Sequence, residues 1–192
     1  MNKGYAGFRV DKVATAANVS RGAQTHHFPT KESLVLEALQ KLYDDSSENS
    51  AKLIKGLKPE DDVLDALMRD SAKFYFGPNF IIAVSMLNLG DHEPELRQKV
   101  RVISRKHRLP IEKAWLDALV RSGLPEDPAR TILNITQSIY RGMVMRRFLR
   151  NDQEYVRFTT EQWSKIVHAF ADLHRSSRKD TALLDRFRED LL

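Results

Sequence analysis

Six consecutive residues near the start of the chain, Arg21-Gly22-Ala23-Gln24-Thr25-His26, carry groups suited to reading the edges of base pairs. Arginine can bridge two acceptors of guanine, glutamine can pair bidentately with adenine, and alanine or a threonine methyl can touch thymine. Gly22 permits close backbone approach. Just downstream, His27 closes this segment and Thr30 and Lys31 open the next. There a helix N-terminus and an ammonium can both meet phosphate. Arg9 adds a further positive group upstream.

Other chemistries find less support. His26 and His27 are neighbours on one helix and cannot face a single metal ion together. His92, His107, His168 and His174 show no ligand spacing and read as structural or solvated, so no metal site is expected. Asp61-Asp62 and Glu93/Glu95 could pose as acid pairs, but each pair stands at a helix start, where carboxylates complement the dipole. The chain contains no glycine-rich phosphate loop, nucleophile elbow or HExxH pattern. It has no cysteine for thiolate chemistry. Neither an enzyme nor a cofactor is expected.

The charge distribution agrees with a nucleic-acid partner. Of the net charge of +5, residues 1–31 contribute +4 through Lys3, Arg9, Lys12, Arg21 and Lys31 against Asp11 alone. Nearly all the excess positive charge is therefore at one end, which points to a polyanion bound there. Hydrophobic and charged fractions of 42% and 30% are ordinary for a globular domain and argue against overall disorder. The densest apolar stretch, Phe80 to Leu89, is too short and too interrupted to span a bilayer, and no cleavable leader pattern opens the chain. No membrane partner is expected, and the cytoplasm is the default compartment.

Helical periodicity dominates, and no run of strand alternation emerges. Val10, Val13, Ala14 and Ala17 form a short amphipathic set stopped near Asn18. Ser20 can cap a second short helix through His27, and Thr30 a long one carrying Leu34, Val35, Ala38, Leu39, Leu42 and Tyr43. Gly56 and Pro59 punctuate its end. Further helices are predicted over residues 61–76, 80–89 and 95–121, with Pro110 expected to kink or break the last. Asp127-Pro128 reads as a start signal for a helix reaching Arg150, and Asn151-Asp152 restarts a final long one. Residues after Ser176 read as a charged tail or one further helix.

Two short helices joined by a tight turn and followed by a long one make a helix-turn-helix scaffold. The residues Gly4-Tyr5, Val10, Val13-Ala14, Ala17, Val19-Ser20-Arg21-Gly22, His27-Phe28-Pro29-Thr30-Lys31-Glu32 and Leu34 give this segment a specific likeness. It resembles the DNA-binding signature of the TetR family over roughly residues 4–40. The resemblance implies an all-α fold: an N-terminal helix-turn-helix domain, here 1–44, and a C-terminal helical ligand-binding and dimerisation domain, here 45–176. Residues 177–192 form the charged tail. The function implied is a homodimeric repressor that binds double-stranded operator DNA and is released by a small-molecule effector. Phe8-Arg9 stands where the family usually has capping threonines, and Gln24-Thr25 where leucine and tyrosine are common. The family begins with a further helix before the Gly-Tyr pair; with only three residues before Gly4, the expectation is either a lost N-terminal segment or an incomplete DNA-binding unit. The alternative reading is a helical ligand-binding and dimerisation module without DNA-binding activity.

The second half supplies candidates for the effector site: Phe74, Phe80, Met86, Trp115, Tyr140 and Met143. These suit an apolar pocket between helices and suit an ordinary core equally well. Arg141, Arg146, Arg147 and Arg150 read as a solvated face that could also meet an acidic ligand. The stripes of the last two long helices are expected to pair with a second copy as a four-helix bundle.

Overall fold

The computed structural model describes residues 9–87, 94–147 and 149–189. In that set the secondary structure is eight α-helices with no strand, as the periodicity predicts. They are α1 (Val10–Ala16), α2 (Arg21–His27), α3 (Lys31–Gly56), α4 (Val63–Tyr75), α5 (Pro78–Leu87), α6 (Pro94–Arg121), α7 (Glu126–Arg146) and α8 (Gln153–Glu189). Contacts group the chain into two compact units. The first comprises Met1–Asn49 and Gly77–Leu109, the second Ser50–Phe76 and Pro110–Leu192. Helices α3 and α6 therefore contribute residues to both.

In the first unit, local chemistry sets the helix ends. After α1 the chain turns at Asn18, whose φ of 53° is left-handed. Asparagine tolerates that conformation, and the Val19 N–H there reaches back to the Ala14 carbonyl at 3.0 Å. Ser20 Oγ accepts the Ala23 N–H at 3.1 Å and so caps α2. Thr30 Oγ1 accepts the Ser33 N–H at 3.0 Å, while Ser33 Oγ accepts the Thr30 N–H at 3.2 Å. This is a reciprocal capping box with serine in the usual Glu/Gln position. Behind these caps Ala14, Val35, Leu39, Tyr43, Leu96 and Val100 are buried. Helix α5 starts at Pro78, two residues before the predicted 80–89; proline fits a first helical turn because the N–H it lacks would have no intrahelical partner. Its all-round apolarity predicted deep burial. Phe80 and Ala83 are buried, but Ile81, Ile82 and Val84 are only half-buried.

The second unit is held by long-range packing of α4, α7 and α8. Asp62 Oδ1 caps α4 by accepting the Leu64 and Asp65 N–H groups at 2.9 and 3.0 Å. Leu64, Leu67, Trp115, Leu119, Ile132, Tyr140 and Val144 are almost completely buried. Of the kink or break expected at Pro110, the break does not occur: α6 is continuous through it, with Ile111 and Trp115 buried after the proline and Val100 and His107 before it. Packing on each side offsets the roughly 3 kcal/mol that a proline costs inside a helix, through a lost hydrogen bond and a ring clash together. Helix α7 starts at Glu126 with Pro125 as its N-cap, so Asp127 and Pro128 sit inside the first turn, not at its boundary. Pro128 is tolerated there because the first-turn N–H groups need no helical acceptor. Asp152 does restart the chain, its Oδ1 accepting the Tyr155 N–H at 3.0 Å. The backbone beyond Ser176 continues α8 as helix to Glu189.

Candidate functional site

The residues nominated for DNA contact cluster on α2 and on the two ends that flank it. Gly22, Ala23, Thr25, His26 and His27 are all exposed, as is Thr30. An alanine methyl at Gly22 would meet only Ser20 Oγ at 3.9 Å, so this surface is open to an approaching partner. His26 and His27 stand edge to face, with centroids 5.2 Å apart, and His27 leans on Phe28 at 6.5 Å. Lys31 is half-buried in the first turn of α3. The side chains of Arg21 and Gln24 lie outside the described residues, although their backbone belongs to α2.

Arg9 has a different standing from the others. Its Nε and Nη2 donate to the two carboxylate oxygens of Asp11 at 3.1 and 2.8 Å. Hydrogen bonding and charge from Asp11 hold the guanidinium above its ordinary value, and Arg9 in turn holds Asp11 below the usual carboxylate range. Arg9 is thus a neutralised charge that must exchange Asp11 for phosphate before it can contribute. An exposed pair is weak enough for that exchange.

Behind α3 the first unit contains a buried imidazole. His107 stacks on Tyr43 with centroids 5.8 Å apart, and the Gln40 amide nitrogen lies 2.7 Å from its Nε2. Desolvation lowers its pKa, Asp44 at 3.6 Å opposes this, and Lys106 adds to it.

Of the six effector-site nominees, Phe74, Trp115, Tyr140 and Met143 lie in the second unit, each at most 5% exposed. Phe80 lies in the first unit, and the Met86 side chain is outside the described residues. Trp115 Nε1 donates to Asp70 Oδ2 at 2.8 Å, and Ser50 Oγ donates to Asp70 Oδ1 at 2.7 Å. This buried carboxylate joins α3, α4 and α6 and was missed in the sequence. A signal was available, since Asp70 falls on the apolar stripe with Val63, Leu67 and Phe74. Burial raises the Tyr140 pKa, and Phe76 packs edge-on against its ring at 5.9 Å. Beyond them Arg141, Arg146 and Arg147 extend over the rings of Tyr75, Tyr155 and Phe76. An open groove of about 750 Å³ between α6 and α7 has Leu116, Val120 and Leu133 among its lining residues and includes none of the six nominees.

The family model for bacterial regulatory proteins of the tetR family matches residues 1–38, the segment that forms α1, α2 and the start of α3. The HTH-type transcriptional regulator CymR of Pseudomonas putida is 40% identical over 152 residues, covering 79% of this chain and 75% of that protein. The chain belongs to the TetR family. It is accordingly a DNA-binding transcriptional regulator of the TetR family. At the level of fold, the chain is similar to the transcriptional regulator FadR from Bacillus subtilis, solved in complex with stearoyl-CoA. The TM-score is 0.56 at 21% identity, over 87% of this chain and 89% of that one. No helix among the described residues is long and apolar enough to cross a membrane.

One further cluster in this TetR-family chain had no local signature in the sequence. His168 on α8 brings Nε2 to 2.9 Å from Asp62 Oδ2 and 3.9 Å from Asp65 Oδ1 at the start of α4. Burial alone would lower the His168 pKa; the Ser164 carbonyl, Asp62 and Asp65 outweigh it and leave the pKa raised. Asp62 is pushed up by burial, but the Asp65 N–H, His168 and the Leu64 N–H prevail and hold it below its ordinary value.

Proposed function

We propose that this regulator is a cytoplasmic, homodimeric repressor that leaves its operator when a small amphipathic molecule occupies the second half of the chain. The division of labour is residues 1–44 for DNA and 45–176 for effector and dimer contacts. The observation that carries the DNA reading is the doubly capped α1–turn–α2–α3 segment with an open α2 face. Arg21, Gly22, Ala23, Gln24, Thr25 and His26 meet bases, while Arg9, His27, Thr30 and Lys31 meet the backbone. Two copies would place two α2 helices in successive major grooves.

The homodimer reading rests on exposed apolar side chains where a monomer would place polar ones. Phe158, Ile166 and Leu173 of α8 are 60%, 57% and 63% exposed, and Ile135 of α7 is 42% exposed. At 3.6 residues per turn the three α8 positions fall within about 80° of one another, a single stripe. A matching stripe on a second copy would cover it. The effector is expected within the second unit, against Phe74, Trp115, Tyr140 and Met143. An effector shifts the equilibrium only as far as it binds the DNA-free state better. The test is fluorescence anisotropy with DNA from upstream of the regulator's own gene, titrated with and without a panel of amphipathic acids and phenols. Release by at least one compound, with a matching rise in thermal stability, supports the reading. Operator binding that no compound weakens, together with no thermal shift, argues against an effector.

A further inference from the structure

From the His168, Asp62 and Asp65 cluster we infer a divalent-metal site that clasps α8 to the start of α4, taking a first-row ion of the Zn(II) class. The argument starts from the imidazole tautomer. His168 Nδ1 lies 2.7 Å from the Ser164 carbonyl oxygen, which can only accept, so Nδ1 carries the hydrogen. In the neutral ring Nε2 is then a bare lone pair. It faces Asp62 Oδ2 at 2.9 Å, which is another acceptor. Two acceptors at that separation need a cation between them.

A proton on Nε2 would give Asp62 a hydrogen bond and Asp65 only a charge to face. Asp65 Oδ1 lies 3.9 Å from Nε2, within ion-pair range of a protonated ring but too far to accept a hydrogen bond from it. A metal ion would engage all three groups. Their ligand atoms lie within 4.8 Å of one another. Tetrahedral bonds of about 2.0–2.2 Å separate neighbouring ligands by about 3.3 Å, and the observed 2.9 and 3.9 Å straddle that distance. Two carboxylates with a neutral imidazole carry a charge of about −2, matching a divalent ion. One nitrogen and two oxygens suit a borderline ion such as Zn(II), with water completing the shell.

The surroundings already hold the ligands in place. An Nδ1–H bonded to a carbonyl is the usual outer partner of a metal-binding histidine, and it aims Nε2 outward. Asp62 is fixed by its second oxygen, which caps α4 through two backbone N–H groups. Asp62 and Asp65, three apart, share one face of α4.

The probe is Co(II), as a spectroscopic stand-in, added to the full-length, chelator-treated protein and followed by Zn(II) competition. The expected result is one Co(II) per chain with visible d–d absorption, displaced by Zn(II), and a rise in Tm on loading. Asp65→Asn should lower the affinity at least tenfold and remove the Tm rise. It should leave the metal-free fold intact, because the Asp62–His168 pair and both caps remain. His168→Gln should abolish binding; if that variant fails to fold, Asp65→Asn alone decides. Equal binding by wild type and Asp65→Asn would place the ion elsewhere and overturn the site. No stoichiometric binding by the wild type would mean that a proton alone holds the pair, and would overturn it equally.

Discussion

The α1–α3 segment and the second unit are built on opposite principles. In the first, the shape comes from contacts three or four residues apart: Ser20 to Ala23, Thr30 to Ser33, the turn at Asn18. Its functional face is polar and exposed. In the second, the decisive contacts join distant residues, Trp115 to Asp70, Trp163 to Thr136 and His168 to Asp62, and the nominated residues are buried. A surface that reads DNA can change its side chains without losing its fold. The interior of the second unit cannot, because those side chains are its core.

The largest expected effect tests that contrast from the buried side. Trp115→Ala removes a side chain only 2% exposed and leaves Asp70 Oδ2 without its indole donor. The cavity should cost about 3–5 kcal/mol, and the orphaned carboxylate oxygen about 1–3 kcal/mol more. Urea unfolding should show it as a lower midpoint. Thr25→Ala and His26→Ala on α2 should stay within about 0.5 kcal/mol of wild type in the same assay. If the α2 substitutions destabilise as much as Trp115→Ala, the contrast is wrong.

A middle-sized effect tests the local caps. Thr30→Ala removes the acceptor of the Ser33 N–H and should cost about 1 kcal/mol, as a helix cap does. Hydrogen exchange should quicken in the first turn of α3 and remain unchanged in α7.

These two cases also explain what could be read from the sequence. Caps and turns involve neighbouring residues, so Ser20, Thr30, Asn18 and Asp152 were legible at once. The helix-turn-helix was legible for the same reason. The His168 cluster was not, because Asp62 and His168 stand far apart in the chain and each has an ordinary reading alone. The start of α7 was misplaced because Asp127-Pro128 satisfies the cap pattern as written, while the N-cap lies two residues earlier, at Pro125. At Pro110 the pattern left a kink or a break open, and the break does not occur because local propensity does not count the packing on either side. Core and pocket remain indistinguishable by residue type, which is why Phe74, Trp115, Tyr140 and Met143 could be nominated but not separated from the interior.

Smaller in size is the pH dependence of the first unit. His107 has a folded-state pKa below its ordinary value of 6.5, so the unfolded chain takes up the proton first. Its neutral form therefore contributes stability that is fully present above pH 6.5 and lost as the pH falls through the depressed folded value. Asp44 and Lys106 are the charged groups that bear on it, and Gln40, Ser47 and Tyr43 complete its surroundings. His107→Gln should flatten this acid limb in urea titrations between pH 5 and about 7. An unchanged limb would remove His107 as its source.

The smallest effect sharpens the DNA side. Asp11→Asn releases Arg9 from its carboxylate. If Arg9 then takes a phosphate, the slope of log affinity against log salt should steepen by about 0.9 per site. An unchanged slope would show that Arg9 does not reach the backbone.

The central claim is that the open face of α2 reads operator DNA, and anisotropy with a promoter fragment and a scrambled one tests it most directly. The wild type should prefer the promoter fragment by at least a hundredfold, with affinity falling steeply as salt rises. Gln24→Ala should reduce that preference by about tenfold, the loss of one bidentate base contact, while leaving urea stability unchanged. A wild type that binds both fragments equally, or a Gln24→Ala variant with undiminished preference, would contradict the account.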